Sequence, residues 1–175
     1  MSQRTSRYSW YVLAVLLCVY SVNWMDRYVL IILLEPIKRD LKLSDTALGL
    51  LSGFVFATIY SLAGIPIARL ADRAVRRTVI ATGLVVWSAM TTLSGLAASF
   101  AQLVAARFGV ALGESACSPA ASSLIADYFP AERRATAFAI YGVGITIGMA
   151  LGLAVGGWAN ELYGWRAAFF VTGLP

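Results

Sequence analysis

Two adjacent residues of opposite charge, Asp26 and Arg27, interrupt a long apolar stretch of the sequence. They are the only formally charged side chains between residues 8 and 34. Ionisable side chains inside a membrane span are costly, and they usually face a cavity or an opposite charge. A carboxylate in such a place can take up and release a proton. A guanidinium stays charged and can bind an anionic group through two parallel hydrogen bonds.

The position of this pair along its helix has two interpretations. If the helix ended at Met25, the pair would lie at the membrane surface. However, residues 28–34 are uninterruptedly apolar and would then have no lipid to enter. Asn23 and Arg27 lie on one helical stripe, and Asp26 lies beside it. We therefore expect Asn23, Asp26 and Arg27 to face a central cavity from the outer half of the membrane.

A second pair of ionisable residues, Arg107 and Glu114, lies in a later apolar segment. Their spacing places them two turns apart on one helix face, which Ser118 and Ser122 continue. Arg107 is close enough to the helix end to extend its guanidinium to the surface, whereas Glu114 is deeper. Glu114 could belong to a functional site or to a structural ion pair with Arg27 or Arg107, and the two roles are compatible.

The composition places these charges in a membrane protein. Hydrophobic residues make up 59% of the chain and charged residues 13%, with a mean hydropathy of +0.75, whereas soluble domains have about a quarter of their residues charged. The net charge of +5 is spread over short clusters between apolar runs, which indicates topology signals rather than a nucleic-acid surface. There is no histidine, and no Ser/His/Asp set, metal cluster or phosphate loop. We therefore expect neither an enzyme nor a bound cofactor or metal.

The apolar runs predict an all-α integral membrane protein with six helices in one domain over residues 1–175. The expected helices are 8–34, 45–68, 78–98, 102–126, 131–159 and 165–175. A bilayer crossing needs roughly 20 residues, so the last helix is incomplete and we expect the sequence to stop inside it.

The arginines and lysines predict the orientation of the helices. With the N-terminus in the cytoplasm, eight of these residues fall in inside segments and four in outside segments, which agrees with the positive-inside rule. The inside set is Arg4, Arg7, Arg69, Arg73, Arg76, Arg77, Arg133 and Arg134, and the outside set is Lys38, Arg39, Lys42 and Arg166. We expect a multi-pass protein of the inner cell membrane.

The loop between the second and third predicted helices has a specific charge pattern. The stretch ARLADRAVRRTVI resembles motif A of the major facilitator superfamily, G-x-x-x-D-R-x-G-R-R, although any multispan protein can carry a basic loop here. The matching positions are Asp72, Arg73, Arg76 and Arg77, while Ala68 and Val75 replace the two glycines of the pattern. The resemblance implies a latch on the cytoplasmic side of the outward-facing state, in which Asp127 also takes part.

Further stretches extend this resemblance over the whole chain. AARFGVALGESACSP, IADYFPAERRATAFAIYGVG and GWRAAFFVTGLP are similar to the fourth helix of the superfamily, the run from its fourth helix into its fifth, and the entry into its sixth. Taken with NWMDRYVLIILLEPIKRDLKLSDTALGLLSGFVFATIYSLAGIPIARLADR, they make the chain resemble a bacterial member of the Spinster-like branch. The resemblance implies the N-terminal six-helix half of the fold. It also implies proton-coupling and substrate roles for Asp26 and Arg27, and similarly for Glu114.

Glycines recur at every fourth position in the fifth predicted helix. Small residues at this spacing let two helices approach closely. The pattern favours static packing, and the alternative is a sliding surface against the second half of a transporter. The glycines are Gly144, Gly148, Gly152 and Gly156.

The sequence therefore predicts half of a proton-coupled secondary transporter that moves an amphipathic or lipid-like organic anion by alternating access. Its partners would be that small-molecule substrate, protons, the lipid bilayer and a missing C-terminal six-helix half, without nucleic acid. One alternative is an organic-anion or sugar-acid symporter of another branch. Another is a truncated membrane protein that does not transport.

Overall fold

The structure is a computed structural model that describes residues 6–174, and the backbone alone at residues 68 and 70–73. The described chain is helical, with short connections. Its helices are α1 (Arg7–Leu41), α2 (Asp45–Gly49), α3 (Val55–Arg73), α4 (Arg76–Ser94), α5 (Phe100–Ser115), α6 (Cys117–Tyr128), α7 (Ala131–Tyr163) and α8 (Trp165–Gly173). A π-helical segment, Leu50–Phe54, joins α2 to α3. The second span thus comprises α2, the π segment and α3, and the fourth comprises α5 and α6.

Helix α1 is longer than the predicted 8–34. It continues through Pro36 to Leu41 and ends where Lys42 adopts a left-handed conformation, with φ 52° and ψ 48°. The prediction stopped where the apolar run stops, but a helix can continue into water when its polar side chains support it. Here Arg39 Nε donates to Glu35 Oε1 over 2.9 Å, one turn away.

Other helix ends also differ from the prediction, each for a local reason. The third span ends at Ser94 rather than 98, and Ser99 then caps the N-terminus of α5 by accepting from the Gln102 amide. The fourth span is divided at Ala116, because Pro119 lacks an N–H group and its ring would clash with a carbonyl one turn earlier. Helix α7 continues to Tyr163 and stops at Gly164, whose φ of 83° favours glycine.

Among the described residues, three helical segments are long and apolar enough to cross a membrane. They are Arg7–Leu41, Asp45–Ile67 and Ala131–Tyr163. The fourth span falls short because of its division at Ala116, and α8 has only 9 residues. Helix α4 has 19 residues, but it begins with two arginines and carries several hydroxyl side chains, which lower its mean hydropathy.

The most extensive helix–helix interface joins α1 and α7, and the glycines of α7 form it. All four glycines of the predicted series are buried. A Cβ atom placed on Gly152 would lie 2.6 Å from the Met25 carbonyl oxygen, and one on Gly144 would lie 3.1 Å from the Tyr20 ring. The glycine face is therefore covered by α1 within this chain, as close static packing requires.

We expect Gly148→Ala to lower the free energy of unfolding by about 1–3 kcal/mol, as overpacking of a filled interface does. Its added methyl group would collide with the backbone carbonyl of Ser21 in α1. The matched control is Gly142→Ala in the same helix, where a Cβ atom has no neighbour within 4 Å in the described part of the chain; this variant should be neutral or slightly stabilising. Unfolding by SDS in mixed micelles measures both, and equal effects would contradict this packing.

The buried apolar residues form two clusters with charged residues between them. One cluster includes Leu13, Leu16 and Val110, and the other includes Val29 and Leu103. Arg107 lies on α5 between Leu103 of one cluster and Val110 of the other. The fold thus encloses a polar layer between two apolar layers.

Candidate functional site

Asp26 is buried at the meeting point of three spans. Asp26 is 1% exposed. Its carboxylate accepts two hydrogen bonds. Thr91 of α4 donates from Oγ1 to Oδ1 over 2.5 Å, and Arg107 of α5 donates from Nη1 to Oδ2 over 2.9 Å. Arg107 is also 1% exposed. The guanidinium of Arg107 therefore does not extend to the surface, because a buried carboxylate holds it.

Arg27 pairs with a different acid. Its Nε donates to Glu114 Oε2 over 2.8 Å, and the side chains of Arg27 and Glu114 are 24% and 0% exposed. The adjacent charges of α1 thus do not neutralise each other. Each forms an ion pair with α5, at positions two helical turns apart. Buried charges are tolerated when they are paired in this way.

Three aromatic rings surround the guanidinium of Arg27. Its Cζ atom lies 5.0 Å from the ring centroid of Trp24, 4.8 Å from that of Phe56 and 4.9 Å from that of Tyr60. A cation within about 6 Å of a ring centroid is attracted by the ring quadrupole. The second span contributes Phe56 and Tyr60 from the first part of α3, after its π segment. The cation–π contacts therefore hold the guanidinium of Arg27 between Trp24 of the first span and two rings of the second span.

A cavity of about 270 Å³ lies against this cluster. Its lining residues with polar side-chain groups are Trp24, Arg27, Tyr28, Ser52 and Arg107. Its remaining walls are mostly apolar, and residues of the π segment form part of them. Single π-helical turns are frequent at functional sites. A cavity lined by hydrogen-bond donors and apolar side chains suits an anionic group attached to an apolar body.

Three buried polar atoms of the cluster have no hydrogen-bond partner among the described residues. They are Trp24 Nε1, Arg107 Nε and Glu114 Oε1. A buried polar atom without a partner costs roughly 1–3 kcal/mol. The network is therefore not saturated by its own side chains. Asn23, which is 3% exposed, is buried one turn from Asp26 but joins neither ion pair in the described part of the chain.

Motif A has one ion pair among the residues whose side chains are described. Arg76 Nη1 bonds to Asp127 Oδ2, which links the start of α4 to the end of α6. Arg77 points elsewhere and lines a groove of about 330 Å³ together with Tyr8 and Tyr11. The proposed latch residues Asp72 and Arg73 lie outside the residues whose side chains are described.

The described residues contain no group of three or more His, Cys, Asp or Glu side chains that could hold a metal ion. The charged cluster instead consists of two acids, each opposite an arginine. Sequence reasoning missed Thr91 and the aromatic residues around Arg27. A signal for the aromatic residues was present, since Phe56 and Tyr60 are one turn apart on the second span.

Comparison with known proteins assigns this arrangement to a family. The family model described as the Major Facilitator Superfamily matches residues 16–175. The chain belongs to the Major Facilitator Superfamily. A solved structure of the superfamily, a bacterial homolog of the human lysosomal transporter Spinster in an inward-facing and occupied conformation, superposes with a TM-score of 0.93. It is 38% identical, and the match covers 97% of this chain and 42% of that one.

Two curated relatives also match most of this chain. An MFS-type efflux pump of Mycolicibacterium smegmatis is 40% identical over 167 residues, which cover 95% of this chain and 39% of the pump. A probable galactarate/D-glucarate transporter of Bacillus subtilis is 30% identical over 171 residues, which cover 94% of this chain and 37% of that protein. This chain therefore spans about two fifths of the length of these relatives.

These matches confirm the predicted superfamily, the Spinster-like resemblance and the all-α fold of half-transporter length. The superfamily and its structural neighbours are transporters rather than enzymes. Together with the long apolar helices, the family also makes this a multi-pass membrane protein.

Proposed function

We propose that this chain forms the N-terminal half of a proton-coupled secondary transporter that moves an amphipathic or lipid-like organic anion. The observation that carries the proposal is the pair of crossed ion pairs, Asp26–Arg107 and Arg27–Glu114. They are buried between helices that span the membrane. Transporters of this type bind substrate near the bilayer midplane, at the interface between their halves.

Proton coupling would use the two acids. Asp26 and Glu114 are each opposite an arginine in a site with little water, and the proton affinity of a carboxylate depends on its hydration and on nearby charge. Alternating access changes both quantities. A proton taken up on one side of the membrane could therefore be released on the other side. Arg27 and Arg107 keep their charge throughout the cycle.

Anion binding would use Arg27. Its side chain is 24% exposed, whereas its partner Glu114 is fully buried. Only Nε of Arg27 is bonded to Glu114, so the other guanidinium nitrogens can donate to an anionic group in the adjacent cavity. The anion would compete with Glu114 for Arg27. This competition supplies a physical link between substrate and proton.

The motif A contact supports the conformational part of the proposal. The Arg76–Asp127 ion pair joins the third and fourth spans at the end of the bundle that the arginine distribution places in the cytoplasm. In the proposal Asp72, Arg73 and Arg77 complete the latch with the second half of the transporter. The N-terminus is cytoplasmic and the protein lies in the inner cell membrane.

A polar sugar acid is the second candidate substrate, favoured by the resemblance to the galactarate/D-glucarate transporter. Such a substrate needs many hydrogen-bonding partners. The cavity beside Arg27 offers side-chain hydrogen-bonding groups of Trp24, Tyr28, Ser52 and the two arginines. Its other side chains, Leu30, Ile31, Phe56 and Ala57, are apolar. The lining of this half therefore favours an amphipathic anion.

The test is proton movement in proteoliposomes that contain the complete transporter and a trapped pH indicator. Adding lysophosphatidate should change the internal pH faster than in protein-free liposomes, while D-glucarate should not. A response to D-glucarate alone would favour the sugar-acid alternative. No response to either anion would contradict the proposal and favour a protein that does not transport.

A further inference from the structure

The two carboxylate oxygens of Asp26 have partners of different chemistry. Oδ2 accepts from Arg107 Nη1 over 2.9 Å, and Oδ1 accepts from Thr91 Oγ1 over 2.5 Å. Thr91 comes from the third span and is 1% exposed. The sequence gives this span no ionisable residue within its membrane part. The hydroxyl of Thr91 is thus the polar group with which the third span contacts the Asp26 carboxylate.

The two partners differ in what they can do when Asp26 is protonated. A guanidinium can only donate hydrogen bonds, whereas a hydroxyl can donate or accept. A proton on Oδ2 would point its O–H group at the N–H groups of Arg107, which offer no acceptor. A proton on Oδ1 would meet Thr91 Oγ1, which can accept it once the hydroxyl rotates.

The rotated hydroxyl also has an acceptor available in its own helix. A threonine in a helix can donate to the carbonyl oxygen four residues earlier. Thr92 already does so, because its Oγ1 donates to the Ser88 carbonyl oxygen over 2.9 Å. The corresponding acceptor for Thr91 is the carbonyl oxygen of Trp87. Both protonation states of Asp26 are therefore compatible with a satisfied Thr91.

We propose that Thr91 is a positioning residue for the transported proton. It donates to Oδ1 when Asp26 is ionised and accepts from Oδ1–H when Asp26 is protonated, so the proton binds Oδ1 and Arg107 remains on Oδ2. The inference rests on the proposed function, because it concerns the acid that the proposal uses for coupling. It adds the third span to the coupling site.

The other charged and titratable groups near Asp26 come from a small number of helices. Arg107 and Glu114 come from α5, Arg27 comes from α1 itself, and Tyr60 of the second span lies on Arg27. The charged residues of α7 are confined to its ends, and Arg166 of α8 pairs with Asp40. Thr91 is thus the uncharged member of the group that contacts the carboxylate.

The experiment is an infrared titration of the complete transporter in lipid, followed through the carboxyl C=O stretching band. The band that disappears when Asp26→Asn is combined with Arg107→Gln identifies Asp26. Thr91→Val removes the hydroxyl at nearly constant shape, and Thr91→Ser restores it. Thr92→Val is the matched control, because it removes an adjacent hydroxyl that is bonded only to its own helix.

In Thr91→Val the titration midpoint of the Asp26 band should move to higher pH by about 0.5–1 unit, because the bond to the charged carboxylate is stronger than the bond to the neutral acid. The C=O frequency of the protonated acid should also change. Thr91→Ser and Thr92→Val should titrate as the unaltered protein does.

Two results would overturn the inference alone. In the first, Thr91→Val leaves the Asp26 band unchanged. In the second, Thr92→Val moves it equally, which indicates a general packing effect. If no titrating band depends on Asp26, the coupling role of this acid fails as well, so the two failures can be distinguished.

Discussion

Replacing Arg107 with Gln should lower the free energy of unfolding of the complete transporter by about 3–5 kcal/mol, the cost of leaving one buried charge without its partner. Asp26 would lose the cation that compensates its carboxylate in a site that is 1% exposed. Asp26→Asn should be similarly costly, since it leaves Arg107 unpaired. SDS unfolding in mixed micelles measures each variant.

Combining the two substitutions should recover most of the lost stability, because the double variant places two neutral amides where the ion pair was. The double-mutant cycle would then give a large coupling energy. The matched control is the Glu35–Arg39 pair of α1, whose side chains are 58% and 79% exposed. Its cycle should give about 0–1 kcal/mol. Equal coupling energies for the two pairs would contradict the buried arrangement.

The double variant Asp26→Asn with Arg107→Gln should lose proton-driven transport while keeping its fold. This variant lacks the carboxyl group of Asp26, which accepts the hydrogen bond from Thr91. Accumulation of lysophosphatidate driven by a pH gradient should therefore fall to the level of protein-free liposomes. Exchange of lysophosphatidate without a gradient should persist at a reduced rate, because Arg27 and Glu114 are unchanged while one of the two arginines that line the cavity is lost. Comparing accumulation with exchange therefore distinguishes a loss of proton coupling from a loss of substrate binding.

The control for this transport experiment is the double variant Glu35→Gln with Arg39→Gln. It also neutralises one ion pair of α1, but that pair is exposed and far along the helix from Asp26. Gradient-driven accumulation should remain normal in it. If the Asp26→Asn and Arg107→Gln variant still accumulates lysophosphatidate on a pH gradient, Asp26 is not the coupling acid.

The sequence allowed the main charged residues to be found, because their rarity in apolar helices makes them stand out. It did not determine their partners. Glu114 could have paired with Arg27 or with Arg107 on its own helix face, and Arg107 could have extended to the surface. The register between α1 and α5 decides this, and close packing of α7 on α1 helps to set the position of α1.

Thr91 could not be identified from the sequence for a related reason. A threonine in an apolar helix commonly donates to its own backbone, as Thr92 does. Two adjacent threonines look alike until the structure shows that one faces Asp26. The end of α1 was missed because Lys42 in a left-handed conformation, rather than hydropathy, ends this helix. The break at Ala116 could have been found from Pro119.

The central claim is that anion binding at Arg27 is linked to protonation of the adjacent acids. The most direct test is calorimetric titration of the complete transporter with lysophosphatidate in buffers of different ionisation enthalpy. The account predicts that the observed heat depends on the buffer, because binding at Arg27 disturbs Glu114 and exchanges protons with the solvent. It also predicts a weaker dependence in Glu114→Gln. Binding heats that are the same in every buffer would contradict the account.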